Sequence, residues 1–100
     1  MKTPTPHKVG YARVSSVSQN LDSQIDALKQ VGCGKIFADK ASGIKESRQE
    51  WDKILEYLRP GDTLVMTELS RMSRSLMHLL SVVKILEEKG VHIVSLRENI

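Results

Sequence analysis

Lys8-Val9-Gly10-Tyr11-Ala12-Arg13-Val14, followed by Leu21, Ile25 and Leu28 and then by Lys35-Ile36-Phe37-Ala38, is the succession that decides the fold. The first seven residues read as a strand. Leu21, Ile25 and Leu28 recur at i, i+4 and i+7, one face of an amphipathic helix, which Gly32 and Gly34 close. Ile36 and Phe37 centre a second, short strand from Lys35 to Ala38.

Working outward, the alternation continues. Ser47-Arg48-Gln49-Glu50 fits a capping box, in which a serine hydroxyl and a glutamate three residues on satisfy each other's free backbone N–H groups. Trp51, Ile54, Leu55 and Leu58 follow at helical spacing, with Trp51 as the core anchor, and Pro60-Gly61 stops that helix. Thr63-Leu64-Val65-Met66 is a third strand. Leu76, Leu79, Leu80, Val83 and Leu86 mark a long amphipathic helix ending at Gly90, and Val91 to Leu96 is a fourth strand. The order βαβαβαβ implies an α/β, three-layer domain around a mainly parallel sheet of four to five strands with right-handed crossovers. Residues 1–7, with Pro4 and Pro6, are expected to be a flexible tail ahead of a single domain over residues 8–100.

The chain has 100 residues, enough for one core and too few for two. Aromatic residues make up only 4%, so Leu, Ile and Val must build that core. A formal charge of +3 and a pI near 9.2 are compatible with a nucleic-acid partner without requiring one. Cys33 is the only cysteine, which excludes an intrachain disulfide and a cysteine-rich zinc site. His7, His78 and His92 have no metal-ligand spacing, and His92 is expected to pack within the last strand. Met66, Met72 and Met77 read as fillers of core and interface gaps. No metal or cofactor is expected. The first residues lead into no secretory h-region, and no apolar run approaches membrane-spanning length, so the expectation is a cytoplasmic protein.

Ligands of parallel sheets bind beyond the carboxyl ends of the strands. The unusual residues of this sequence follow those ends. Arg13, Ser15 and Ser16 belong to strand one, the run from Lys40 to Arg48 to strand two, and Ser70, Arg71, Ser73 and Arg74 to strand three. Each has a plain reading. Arg13 could form a structural ion pair with Asp39 or Glu68, and Arg71 and Arg74, three apart, could form a solvated basic face. Two serines after a strand commonly make a turn. Together, however, several arginines and a helix N-terminus on one rim suit a phosphate that gains charge in its transition state. Ser15 and Ser16 offer hydroxyl nucleophiles there.

Tyr11-Ala12-Arg13-Val14-Ser15-Ser16 with Gln19-Asn20-Leu21-Asp22-Ser23-Gln24, Asp39-Lys40-Ala41-Ser42-Gly43 with Arg48, and Glu68-Leu69-Ser70-Arg71-Met72-Ser73-Arg74-Ser75 resemble the three characteristic segments of the resolvase/invertase serine recombinases. They occur in the family's order, and the resemblance runs from about Val9 to Leu96. It implies a resolvase-type catalytic domain in which Ser15 attacks a DNA phosphodiester and forms a 5′-phosphoserine link. Arg13, Arg48, Arg71 and Arg74 match the arginines around the scissile phosphate, with Gln19, Asp39 and Ser70 in supporting positions. The chain departs from many members at Ser70, where Asp is common, which puts in doubt a carboxylate that orients Arg71. Family members continue into a dimer-forming helix and a helix-turn-helix domain. The 100 residues are therefore expected to be a truncated form, monomeric or weakly self-associating, with apolar surface exposed along Leu76–Leu86. The longer protein would act on DNA as a homodimer and a synaptic tetramer.

The rivals are regulatory α/β modules. A receiver needs clustered carboxylates after its first strand, where this chain has Arg-Val-Ser-Ser. The P-loop and dinucleotide glycine motifs are absent. A catalytically inactive resolvase-like module for oligomerisation or regulation stays open as the alternative.

Overall fold

A computed structural model describes residues 7–14, 21–40, 49–69 and 75–98. The elements are β1 (Lys8–Val14), α1 (Leu21–Gln30), β2 (Lys35–Lys40), α2 (Gln49–Tyr57), β3 (Thr63–Met66), α3 (Leu76–Lys89) and β4 (His92–Ser95). The described strands form one parallel sheet in the order β2-β1-β3-β4. This is the α/β layering expected from the alternation of periods.

Strand parity sorts the core onto two faces. Val9, Tyr11, Phe37, Leu64 and Met66 join Trp51 and Ile54 of α2 and Val82 and Leu86 of α3 in one cluster. Ala12 and Val65 point the other way and pack with Leu28 of α1 and with Cys33. Gly10 also belongs to the α1 side. A Cβ there would lie 3.1 Å from Leu28 Cδ1 and 3.3 Å from Cys33 Sγ, so the absent side chain lets the helix sit close to the strand.

Helix ends are closed by identifiable groups. Ser75 accepts a hydrogen bond from the His78 N–H at the start of α3. Gly90 ends that helix at φ 86°, and the Val91 N–H donates to Leu86 O at 2.9 Å. The Val91 amide is thereby used by the helix, which explains why β4 begins one residue later than its apolar pattern suggests. β2 instead runs two residues past Ala38, because Asp39 and Lys40 keep their pairing with Arg13 and Val14.

Two further expectations change. His92 is exposed, because β4 is an edge strand of the described sheet and turns that side chain outward. The packed stripe of α3 is Leu79, Val82, Val83 and Leu86, which is the i, i+3, i+4, i+7 set that reaches the sheet. Leu76 and Leu80 are exposed, together with Met77 and Ile85, so apolar surface along this helix is indeed open.

Candidate active site

The strand order places the switch point between β1 and β3: the chain leaves β1 toward β2 on one side, while β3 lies on the other. A crevice at the carboxyl ends of such a pair is the usual ligand position in open α/β sheets. The two strands are unequal there. β3 pairs with β1 only as far as Tyr11↔Met66, whereas β1 continues to Val14 against β2.

Arg13 stands on this overhang and is 5% exposed. Its N–H donates to Gln24 Oε1 at 3.2 Å, and its carbonyl accepts from Gln24 Nε2 at 3.0 Å. One carboxamide from α1 thus supplies the pairing that β3 no longer offers. Gln24 was not marked as a site residue by sequence reasoning. Its signal was present: a polar side chain within the apolar stripe of Leu21, Ile25 and Leu28.

Asp39 is the register partner of Arg13 on β2 and is 3% exposed. Its carboxylate accepts the Tyr11 hydroxyl at 2.7 Å and the backbone N–H groups of Glu50 and Trp51 at 2.9 and 3.0 Å. The first turn of α2 is therefore capped from a neighbouring strand. Three donors offset the desolvation of a buried carboxylate, and the helix N-terminus adds a favourable dipole. The Trp51 and Tyr11 rings pack in an edge-type arrangement with 4.9 Å between centroids, which fixes the tyrosine that faces Asp39. Ser47 and Arg48, which open the expected capping box, lie outside the described residues.

The end of β3 is held separately. Glu68 pairs with Arg97 at 2.7 Å, and the Leu69 N–H donates to Glu98 Oε1 at 3.0 Å. The buried Ser95 hydroxyl donates to the same Glu98 oxygen. That hydrogen bond, assisted by the Leu69 amide and the Arg97 charge, holds the Glu98 carboxyl below the usual range even though desolvation opposes it. The Arg97 N–H also bonds Thr67 O at 2.8 Å. Glu68, one of the two carboxylates considered for Arg13, is thus engaged by Arg97.

Ser15, Gln19, Arg48, Ser70, Arg71 and Arg74 lie outside the described residues. In the chain they directly follow or precede Val14, Leu21, Gln49, Leu69 and Ser75, or stand within a few residues of them. Among the described residues no cluster of three His, Cys, Asp or Glu could hold a metal. No described helix is long and apolar enough to cross a membrane.

Residues 8–100 match the family described as "Resolvase, N terminal domain". The chain is 47% identical over 93 residues to the Transposon Tn552 DNA-invertase BinR of Staphylococcus aureus, covering 93% of this chain and 48% of that protein. It is 42% identical over 91 residues to the Transposon Tn917 resolvase of Enterococcus faecalis, covering 91% of this chain and 50% of that one. The chain thus spans about half the length of these relatives. Its fold matches the crystal structure of a resolvase family site-specific recombinase from Streptococcus pneumoniae with a TM-score of 0.79 at 20% identity, over 96% of this chain and 75% of that one.

Proposed function

The chain belongs to the resolvase family, and from that premise we propose that it is the catalytic domain of a site-specific DNA recombinase with Ser15 as its nucleophile. The carrying observation is Arg13: a guanidinium that cannot shed its charge, 5% exposed, at the switch-point end of β1 and two residues before Ser15. Such a group is suited to a phosphodiester that develops negative charge in its transition state.

In this reading the Ser15 Oγ attacks phosphorus as the hydroxyl proton leaves. The Oγ–P bond forms, the bond from phosphorus to the 3′ oxygen breaks, and that oxygen takes up a proton. The phosphoserine ester retains the phosphodiester's bond energy, so an incoming 3′ hydroxyl rejoins the strand without ATP, metal or cofactor. Arg13, Arg48, Arg71 and Arg74 surround the phosphate, with Gln19, Asp39 and Ser70 supporting them. Residues 8–100 form the catalytic unit, and sequence-specific DNA recognition is a task for residues outside it. The protein works in the cytoplasm, where its DNA is, as a homodimer that pairs into a synaptic tetramer. The exposed Leu76, Met77, Leu80 and Ile85 of α3 support such self-association.

The test is a full-length Ser15→Ala variant, which should bind its DNA site almost normally and cleave nothing. DNA trapped under conditions that block rejoining should carry a covalent link to Ser15, located by peptide mass. A link to Ser16, or a free 5′ phosphate from hydrolysis, overturns the assignment.

A further inference from the structure

We propose that Gln24 is a positioning residue for strand cleavage, acting as a one-residue extension of β3 that keeps the overhanging end of β1 rigid. The inference rests on the recombinase reading above and extends it to a residue on α1.

The geometry sets two requirements in opposition. A crevice between β1 and β3 exists only where the two strands stop pairing, here after Tyr11↔Met66. A strand that presents Arg13, and two residues later the nucleophile, must stay ordered past that point. Its backbone groups on the β3 side need partners once the pairing with β3 has ended. In an extended strand the N–H and C=O of one residue point to the same edge. A primary carboxamide offers one acceptor and a donor at matching positions, as no carboxylate, hydroxyl or ammonium does. Gln24 meets both groups of Arg13, at 3.2 and 3.0 Å, and is itself only 8% exposed. Its body lies in the apolar stripe of α1, so the helix that closes one face of the sheet also fixes the strand end.

A misplacement of about 1 Å at reacting groups costs on the order of a hundredfold in rate. Gln24→Leu, in the full-length protein, is therefore expected to lower single-turnover cleavage of saturating DNA by about that factor, with DNA affinity unchanged. The companion variant is Gln24→Glu. An ionised carboxylate accepts from the Arg13 N–H but has no proton for the Arg13 carbonyl, whereas the protonated acid serves both. Its cleavage rate relative to the parent protein should therefore rise as pH falls. Ile54→Val, a conservative change in the buried core on the α2 side of the sheet, serves as the stability control, with each rate measured well below the thermal midpoint.

Parent-like cleavage by Gln24→Leu, or an equal loss in Ile54→Val, overturns the proposal. So does a fall in cleavage that is wholly a fall in binding. If Gln24→Leu does not fold, Gln24→Glu decides: a relative rate that climbs toward low pH supports positioning, and a flat ratio refutes it. Ser15→Ala runs alongside. If it still cleaves, the recombinase reading itself fails. If it is inactive while the Gln24 variants behave as the parent, only the role of Gln24 is lost.

Discussion

The Tyr11 hydroxyl donates to Asp39 Oδ2 at 2.7 Å, joining the central strand to the carboxylate that caps α2. Tyr11 is fully buried, so its hydroxyl has no water to replace that partner. Tyr11→Phe removes one of three donors to a buried charge and should cost about 1.5–3 kcal/mol of stability. Asp39→Ala should cost more, since the Glu50 and Trp51 amides and the Tyr11 hydroxyl all lose their acceptor together. Urea unfolding of the two variants checks the order. An Asp39→Ala protein as stable as the parent would remove Asp39 from the scaffold.

Arg13 should act on the transition state more than on DNA affinity. In the full-length protein, Arg13→Ala is expected to slow cleavage of bound DNA by roughly a hundredfold, or about 3 kcal/mol. Arg13→Lys should rescue poorly, because a point charge cannot reproduce the planar fork of guanidinium. If Arg13 were part of a general DNA-binding patch, affinity and its salt dependence would fall while the rate on bound DNA survived. Binding and single-turnover cleavage on the same variants separate the two.

Acid should loosen the end of β3. The Ser95 hydroxyl, with the Leu69 amide and Arg97, holds the Glu98 carboxyl below the usual range. A depressed carboxylate contributes stability that is present above the ordinary glutamate range and is lost as pH falls through its lowered folded value. Amide exchange at Leu69, corrected for intrinsic rate, should therefore accelerate across that acidic interval. In Glu98→Gln the acceleration should vanish. Persistence of the same pH dependence in that variant would assign it to another group.

Cys33 should be a slow nucleophile in the folded protein. Burial pushes its thiol pKa up, with nearby Lys8 opposing only in part, so little thiolate is present near neutrality. Alkylation is expected to be slow natively and fast in denaturant. Because the folded thiol titrates higher than the unfolded one, its contribution to stability is full below the ordinary thiol range and declines as pH rises through the folded value. Equal alkylation rates in both states would show that the site opens freely.

The layering is legible in the sequence because it depends on local periodicity. Leu21, Ile25 and Leu28 must share a helix face, and the short runs between helices can bury themselves only as strands of one parallel sheet. The error on α3 has the same origin. Periodicity identified an amphipathic helix but could not choose between the Leu76–Leu80 and Val82–Leu86 edges of its apolar face, since that depends on where the helix axis crosses the sheet. The helix start near Gln49 was legible, but its described cap is not local: Asp39, ten residues upstream in the sequence, reaches it through a strand.

The sequence by itself determined the order of elements, the chemistry-bearing residue types and the three segments that mark the family. These are properties of neighbours along the chain. Tertiary structure decided which of those residues meet. The overhang of β1 past β3, the Gln24 carboxamide that completes it, and the Arg97–Glu68 and Glu98–Leu69 contacts all arise from strand register and length. Register is set by the summed packing of both faces of the sheet, a balance that no local stretch of sequence contains.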